Sequence, residues 1–143
     1  MLFGRRPRAI VRLLLVEDEP LIAFDNEHFL SEARYEVVAT VDRVSEALRV
    51  IGSGEAIDLV LVDVALADGS GIDVARAARK RGIGVLFVTG NCPVAANEVA
   101  DGCLSKPYAQ RDLLQAIVAI EAKREGKPVK KQPSGFRLFD RQA

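Results

Sequence analysis

Few residues of this chain could do chemistry together, and they arrive in a definite order: the acidic run Glu17-Asp18-Glu19, then Asp63, Thr89 and Lys106. Each is weak evidence alone, because an Asp at the end of an element usually caps a helix or shapes a turn. Read as a set they fit one chemistry. Carboxylates gathered in one place repel each other and call for a cation. A hard divalent ion such as Mg²⁺ takes carboxylate, carbonyl and water oxygens and characteristically draws part of its shell from phosphate. Beside such a cluster Thr89 is a hydroxyl donor and Lys106 a point charge, both suited to phosphoryl oxygens. Asp63 is then the candidate nucleophile, forming an aspartyl phosphate while Mg²⁺ neutralises the charge that develops.

These residues need a frame that brings them together. The chain alternates short apolar runs with longer amphipathic ones about five times, the pattern of β-α units around a parallel sheet. Strands are expected over 10–16, 35–41, 58–63, 83–89 and 102–105, apolar almost without alternation, as when helices cover both faces. Pro20 opens the first helix, with Leu21, Ile22, Phe29, Leu30 and Ala33 as its apolar face. Val44, Ala47, Leu48 and Ile51 predict a second helix that ends at Gly52-Ser53-Gly54. Ile72, Ala75, Ala77 and Ala78 predict a small-residue third helix over about 70–81, ended by Gly82. Leu113, Leu114, Ile117, Val118 and Ile120 mark a last helix over about 109–124. Residues 93–101 leave room only for a short helix or a loop. In a sheet of this kind functional groups gather at the carboxyl ends of the strands, where Glu17, Asp63, Thr89 and Lys106 all fall.

Composition bounds the remainder. A chain of 143 residues, 49% apolar and 28% charged, is an ordinary globular domain, and its apolar runs are far too short to span a bilayer. The basic opening gives way to Arg12 and the acidic run, against a secretory signal, which points to the cytoplasm. Two cysteines, Cys92 and Cys103, lack metal-ligand spacing and agree with a reducing compartment. Cys92 reads as a plain loop cysteine and Cys103 as buried packing. His28, the one histidine, is assigned no role. The net charge of zero conceals a segregation: residues 13–120 carry 9 Lys and Arg against 17 Asp and Glu, whereas both ends are basic. No aromatic-interleaved patch or recognition helix accompanies the basic ends, so nucleic acid is not the implied partner. The organisation expected is a basic extension over 1–8, one domain over 9–124 and a basic, flexible tail over 125–143. Within the tail, the cluster Phe136-Arg137-Leu138-Phe139 could dock back, meet a partner or remain disordered.

Val16-Glu17-Asp18-Glu19-Pro20, Asp63 with Asp68-Gly69-Ser70-Gly71 after it, Thr89-Gly90 and Lys106-Pro107 together resemble the signature of the response-regulator receiver domain of two-component signalling. The resemblance covers about residues 9–124. It implies a doubly wound α/β fold with a five-stranded parallel sheet in the order 2-1-3-4-5 and helices on both faces. By position it implies that Asp18 is a direct Mg²⁺ ligand, that Glu17 acts on the same ion, and that Asp63 is the phosphoacceptor. The carbonyl of Ala65 would complete the metal site. The amides of Ala65 and Gly90, with Thr89 and Lys106, would take the phosphoryl oxygens. Lys106-Pro107 is a candidate cis peptide. The implied partners are a histidine kinase or phosphotransfer protein and a downstream protein target, with no membrane partner and a homodimer left open.

Two departures accompany the resemblance. The position three residues before the lysine, usually Tyr or Phe, is Cys103. Thr89 and Lys106 are also close in sequence, which shortens the fourth helix or replaces it by a loop. Phe87-Val88-Thr89-Gly90 is similar to a Phe-Ala-Thr-Gly run in a subgroup of single-domain receivers without the aromatic. A stand-alone phosphoacceptor is the leading reading, with catalysis limited to self-phosphorylation and self-dephosphorylation. An aspartate-nucleophile phosphatase would want a second Asp where Ala65 stands. A receiver-like adaptor that no longer cycles is the alternative.

Overall fold

A computed structural model describes residues 8–140. The element order is β1 (Arg12–Val16), α1 (Pro20–Glu32), β2 (Glu36–Val41), α2 (Val44–Gly52), β3 (Leu59–Val62), β4 (Ala65–Leu66), β5 (Gly69–Ser70), α3 (Gly71–Lys80), β6 (Gly84–Thr89), α4 (Ala96–Val99), β7 (Gly102–Ser105), α5 (Gln110–Arg124) and β8 (Phe136–Leu138). The main sheet runs β2-β1-β3-β6-β7-β8, and its first five strands are mutually parallel. Once the small hairpin β4-β5 and the edge strand β8 are set aside, the five parallel strands follow the doubly wound order expected.

Both sheet faces are buried, which explains the unbroken apolar strands. Leu14 and Val16 of β1 face a core layer completed by Ala47 and Ile51 of α2, Val74 and Ala78 of α3 and Val99 of α4. Leu13 and Leu15 face the opposite layer, which holds Leu30 of α1 and Leu113, Ile117 and Ile120 of α5. The period-2 alternation is present, but both of its phases are apolar. The helical stripes are narrower than the sequence indicates. Leu21 is 79% exposed, Val118 50% and Leu48 39%, because each stands beside its helix's buried row and not within it. The fourth helix is one turn long, in line with the short spacing between Thr89 and Lys106.

The tail is where the structure departs most from expectation. Residues 136–138, expected within a flexible extension, form β8 and add to the free edge of β7 as an antiparallel sixth strand. Gly102 pairs with Leu138 and Leu104 with Phe136, and Ser105 N–H donates to the Gly135 carbonyl at 2.9 Å. Phe136 enters one core layer and Phe139 the other, so the tail clips around the sheet edge. An edge strand presents unpaired backbone groups, and β8 satisfies those of β7. The basic extension over 1–8 lies outside the described residues except for Arg8, whose guanidinium stacks 4.2 Å from the Tyr35 ring centroid.

The cysteines also differ from expectation. Cys92 and Cys103 are joined by a disulfide, with Cα atoms 6.2 Å apart. Their separation of 11 residues carries no pairing signal, and only the parallel register of β6 and β7 brings the intervening loop back onto β7.

Candidate functional site

Backbone ladders place the candidate residues. Glu17 and Asp63 each follow directly on a buried strand, and both continue the ladder: Glu17 N–H donates to the Val41 carbonyl at 2.9 Å, and Asp63 N–H to the Val16 carbonyl at 3.1 Å. Lys106 follows β7, and its N–H donates to the Thr89 carbonyl at 2.8 Å. Four adjacent strand ends therefore deliver Glu17, Asp63, Thr89 and Lys106 to one rim of the sheet. The Lys106-Pro107 peptide is cis.

Three oxygens, one each from Glu17, Asp18 and Asp63, lie within 4.8 Å of one another. Glu17 and Asp63 are buried and Asp18 is half-buried. Lys106 Nζ reaches into this group, 2.8 Å from Asp63 Oδ2, 2.9 Å from Glu17 Oε1 and 2.9 Å from Glu19 Oε2. The other oxygen of Asp63, Oδ1, accepts the Ala65 N–H at 3.2 Å. Burial pushes the Glu17 carboxyl up from its ordinary range, and the nearby Asp63 charge adds to this against the lowering effect of Lys106 and the Glu19 amide. Burial alone would lower the Lys106 ammonium, but its hydrogen bonds to Asp63, Glu19 and Glu17 carry it above the ordinary lysine range. One ammonium thus faces several carboxylates, an excess of negative charge in a confined space. Hard oxygen donors in that excess suit a divalent cation of the Mg²⁺ type.

The turn after Asp63 is built for close approach. A Cβ on Gly71 would fall 2.1 Å from the Asp63 carbonyl oxygen, so only glycine lets α3 start there. Ser70 caps α3 by accepting the Ile72 N–H at 3.1 Å. Asp68, in the β4-β5 turn, caps the neighbouring α2 instead, accepting the Val44 N–H at 2.6 Å and the Ser45 N–H at 3.1 Å. The Asp68-Gly69-Ser70-Gly71 run is thus a scaffold for Asp63.

Of the residues expected at the site, Glu17, Asp18, Asp63, Ala65 and Lys106 converge side chain or backbone on one point. Thr89 is buried at the end of β6 beside Lys106, and exposed Gly90 follows it. Two participants lacked any individual signal. Glu19 stood in the acidic run without a role and proves to hold Lys106. Tyr108 accepts a hydrogen bond from Asn26 Nδ2 at 2.8 Å, tying α1 to the segment after Lys106. Between them opens a cleft of about 720 Å³, lined by Glu19, Ile22, Asn26, Lys106 and Tyr108 among others.

The chain is similar in sequence and fold to proteins of one known family. Residues 13–118 match the response regulator receiver domain family. The TorCAD operon transcriptional regulatory protein TorR of Escherichia coli K12 is 30% identical over 111 residues, which are 73% of this chain and 47% of that protein. The phyllosphere-induced regulator PhyR of Methylorubrum extorquens is 34% identical over 79 residues, 54% of this chain and 30% of that protein. The chain therefore spans less than half the length of these curated relatives. Among solved structures, a CheY-like receiver domain protein from Methanospirillum hungatei superposes with a TM-score of 0.74 at 29% identity, covering 82% of this chain and 98% of its own. A receiver protein from Sinorhizobium medicae gives a TM-score of 0.70 at 26% identity over 81% of this chain and 98% of its own.

Proposed function

The chain belongs to the response regulator receiver domain family, and from that premise we propose that it accepts a phosphoryl group on Asp63 from the phosphohistidine of a histidine kinase or phosphotransfer protein and signals by binding another protein. One observation carries this reading. Lys106 Nζ stands 2.8 Å from Asp63 Oδ2, inside a cluster whose Glu17, Asp18 and Asp63 oxygens lie within 4.8 Å of one another.

An oxygen of the Asp63 carboxylate attacks phosphorus; the new P–O bond forms as the P–N bond breaks, and the imidazole leaves with a proton. The Ala65 N–H on Oδ1 orients the carboxylate, and Lys106 then exchanges a carboxylate contact for a phosphoryl oxygen. Thr89 and the amides of Ala65 and Gly90 would take the remaining oxygens. Glu17, Asp18, Asp63 and the Ala65 carbonyl would hold Mg²⁺, which when bound neutralises charge on the carboxylates and the transferring group. Water later cleaves the acyl phosphate, returning Asp63 to its carboxylate. Nothing in this cycle makes the protein an enzyme acting on other substrates. On α1, Ile22 and Asn26 line the cleft while Leu21 and Phe24, 79% and 70% exposed, stand on the adjoining row, an apolar patch fit for a protein partner. No helix among the described residues is long and apolar enough to cross a membrane, and a cytoplasmic setting fits the proposed partners.

A second reading, a receiver-like adaptor that does not cycle, draws on Cys103: it occupies the place of the family's usual aromatic and is held in a disulfide. The experiment is incubation with a small-molecule phosphodonor and with a phosphorylated histidine phosphotransfer protein, each with and without Mg²⁺, followed by intact mass. A Mg²⁺-dependent gain of one phosphoryl group, absent in Asp63→Asn, is expected. Metal binding without any phosphoryl gain from either donor would leave the adaptor.

A further inference from the structure

We propose that Cys92 and Cys103 form a reversible dithiol–disulfide site, and that its redox state sets the order of the segment between β6 and α4 that carries Gly90. The argument is topological. Cys92 lies three residues after Thr89, and Cys103 lies three residues before Lys106. The Lys106 N–H to Thr89 carbonyl bond already joins the two strand ends. The disulfide adds a covalent tie on the other side of Thr89 and closes a small ring through Thr89, Gly90, Cys92, Cys103 and Lys106.

Little else holds the loop side of that ring. Gly90 and Asn91 are exposed and Val94 is fully exposed at 101%, and the chain is anchored again only at α4, where Ala96 and Val99 are buried. The Cys103 side is rigid by contrast. It is 0% exposed, within β7 and flanked in register by Phe87 of β6 and Arg137 of β8. Opening the bond therefore releases the loop and leaves the strand, since a buried thiol packs as a small apolar group.

The two sulfurs also differ in access. Cys92 is half-buried on the surface loop while Cys103 is enclosed, which directs an attacking thiolate to the Cys92 sulfur. A small dithiol forms a mixed disulfide with Cys92 as the Cys92–Cys103 bond breaks, and Cys103 takes a proton as a thiol. The second thiolate of the reductant then displaces Cys92. Two electrons and two protons pass to the protein, and the reductant ends as its own disulfide. Oxidation by a small disulfide such as oxidised glutathione runs the same exchange in reverse.

The consequence for phosphoryl chemistry rests on the function proposed above. Gly90 is offered there as an amide donor to the phosphoryl group, so a loosened loop presents it less often and the acyl phosphate changes its lifetime. The order of the loop itself does not depend on that reading.

The test is amide hydrogen exchange read by mass spectrometry on the oxidised protein, on the same protein reduced with dithiothreitol, and on Cys92→Ser, with thiols counted by alkylation. Exchange over 90–95 is expected to rise by about tenfold or more on reduction and in Cys92→Ser, with 84–89 and 102–105 unchanged, and oxidised glutathione is expected to restore slow exchange. Equal exchange over 90–95 in both redox states would overturn the proposal. So would two free thiols that oxidised glutathione cannot close, or a bond that opens only when the whole domain unfolds. Asp63 phosphorylation is followed in the same samples. Its absence from every sample would count against the phosphoacceptor reading alone, and a redox-dependent exchange rate would still stand.

Discussion

Gly102 of β7 lies directly beneath Phe136 of β8: a Cβ at Gly102 would come within 2.7 Å of the phenyl ring. A glycine in a buried strand ordinarily weakens the sheet, but here it makes the seat that lets the tail close the edge. Gly102→Ala is expected to push β8 off and to destabilise the domain by about 1 to 3 kcal/mol, and Phe136→Ala by about 3 kcal/mol. Denaturant unfolding reads both, and hydrogen exchange over 136–139 shows whether the strand has left. Unchanged protection there in Gly102→Ala would contradict the packing.

Lys106 occupies the ground a cation would share, since its ammonium already neutralises part of the Glu17 and Asp63 charge. Lys106→Met is therefore expected to bind Mg²⁺ more tightly, by about tenfold, because a competing positive charge a few ångströms away is removed. Asp18→Asn is expected to weaken binding by a similar factor. Calorimetric titration with Mg²⁺ distinguishes these opposite shifts.

Burial raises the Glu17 carboxyl, so between its unfolded and its folded pKa the native state holds a proton that the unfolded chain has lost. The stability this group contributes is present below the unfolded value and is lost as pH rises through the folded value. Mg²⁺ binding runs the other way, because the metal needs the ionised form. Its affinity is expected to fall on acidification at a higher pH than an ordinary carboxylate would dictate, and to lose that dependence in Glu17→Gln. Titrations across weakly acid to neutral pH on both proteins check this.

Asp68 shows the opposite sign. The amides of Val44 and Ser45 favour its ionised form and hold its carboxyl below the ordinary aspartate range. The stability it confers is present above the unfolded value and is lost as pH falls through the folded one. Asp68→Ala is expected to destabilise the domain at neutral pH and to flatten the acid limb of its stability profile, with α2 fraying first in hydrogen exchange. An unchanged acid limb would remove Asp68 from the capping role.

The parallel α/β fold and the approximate strands were legible because apolar runs and breakers record local geometry. So was the order of Glu17, Asp63, Thr89 and Lys106, since strand ends can be read off a chain. The register of neighbouring strands, which sets the 2.8 Å between Lys106 Nζ and Asp63 Oδ2, is a property of pairs of segments distant in sequence. Glu19 as a holder of Lys106, Asp68 as the cap of another helix and Asn26 as a partner of Tyr108 are of the same kind. Local composition also misled at the tail. Residues 125–143 read as a basic, flexible tail, and nothing in Phe136-Arg137-Leu138 reveals that β7 offers a free edge with a glycine seat. The cysteine pair was hidden for the same reason, since an 11-residue separation bridges only once β7 lies beside β6. Periodicity and residue type act along the chain and were enough for the elements and the chemistry they could carry. Register, edges and long-range bonds act between segments, and the tertiary structure alone decided them.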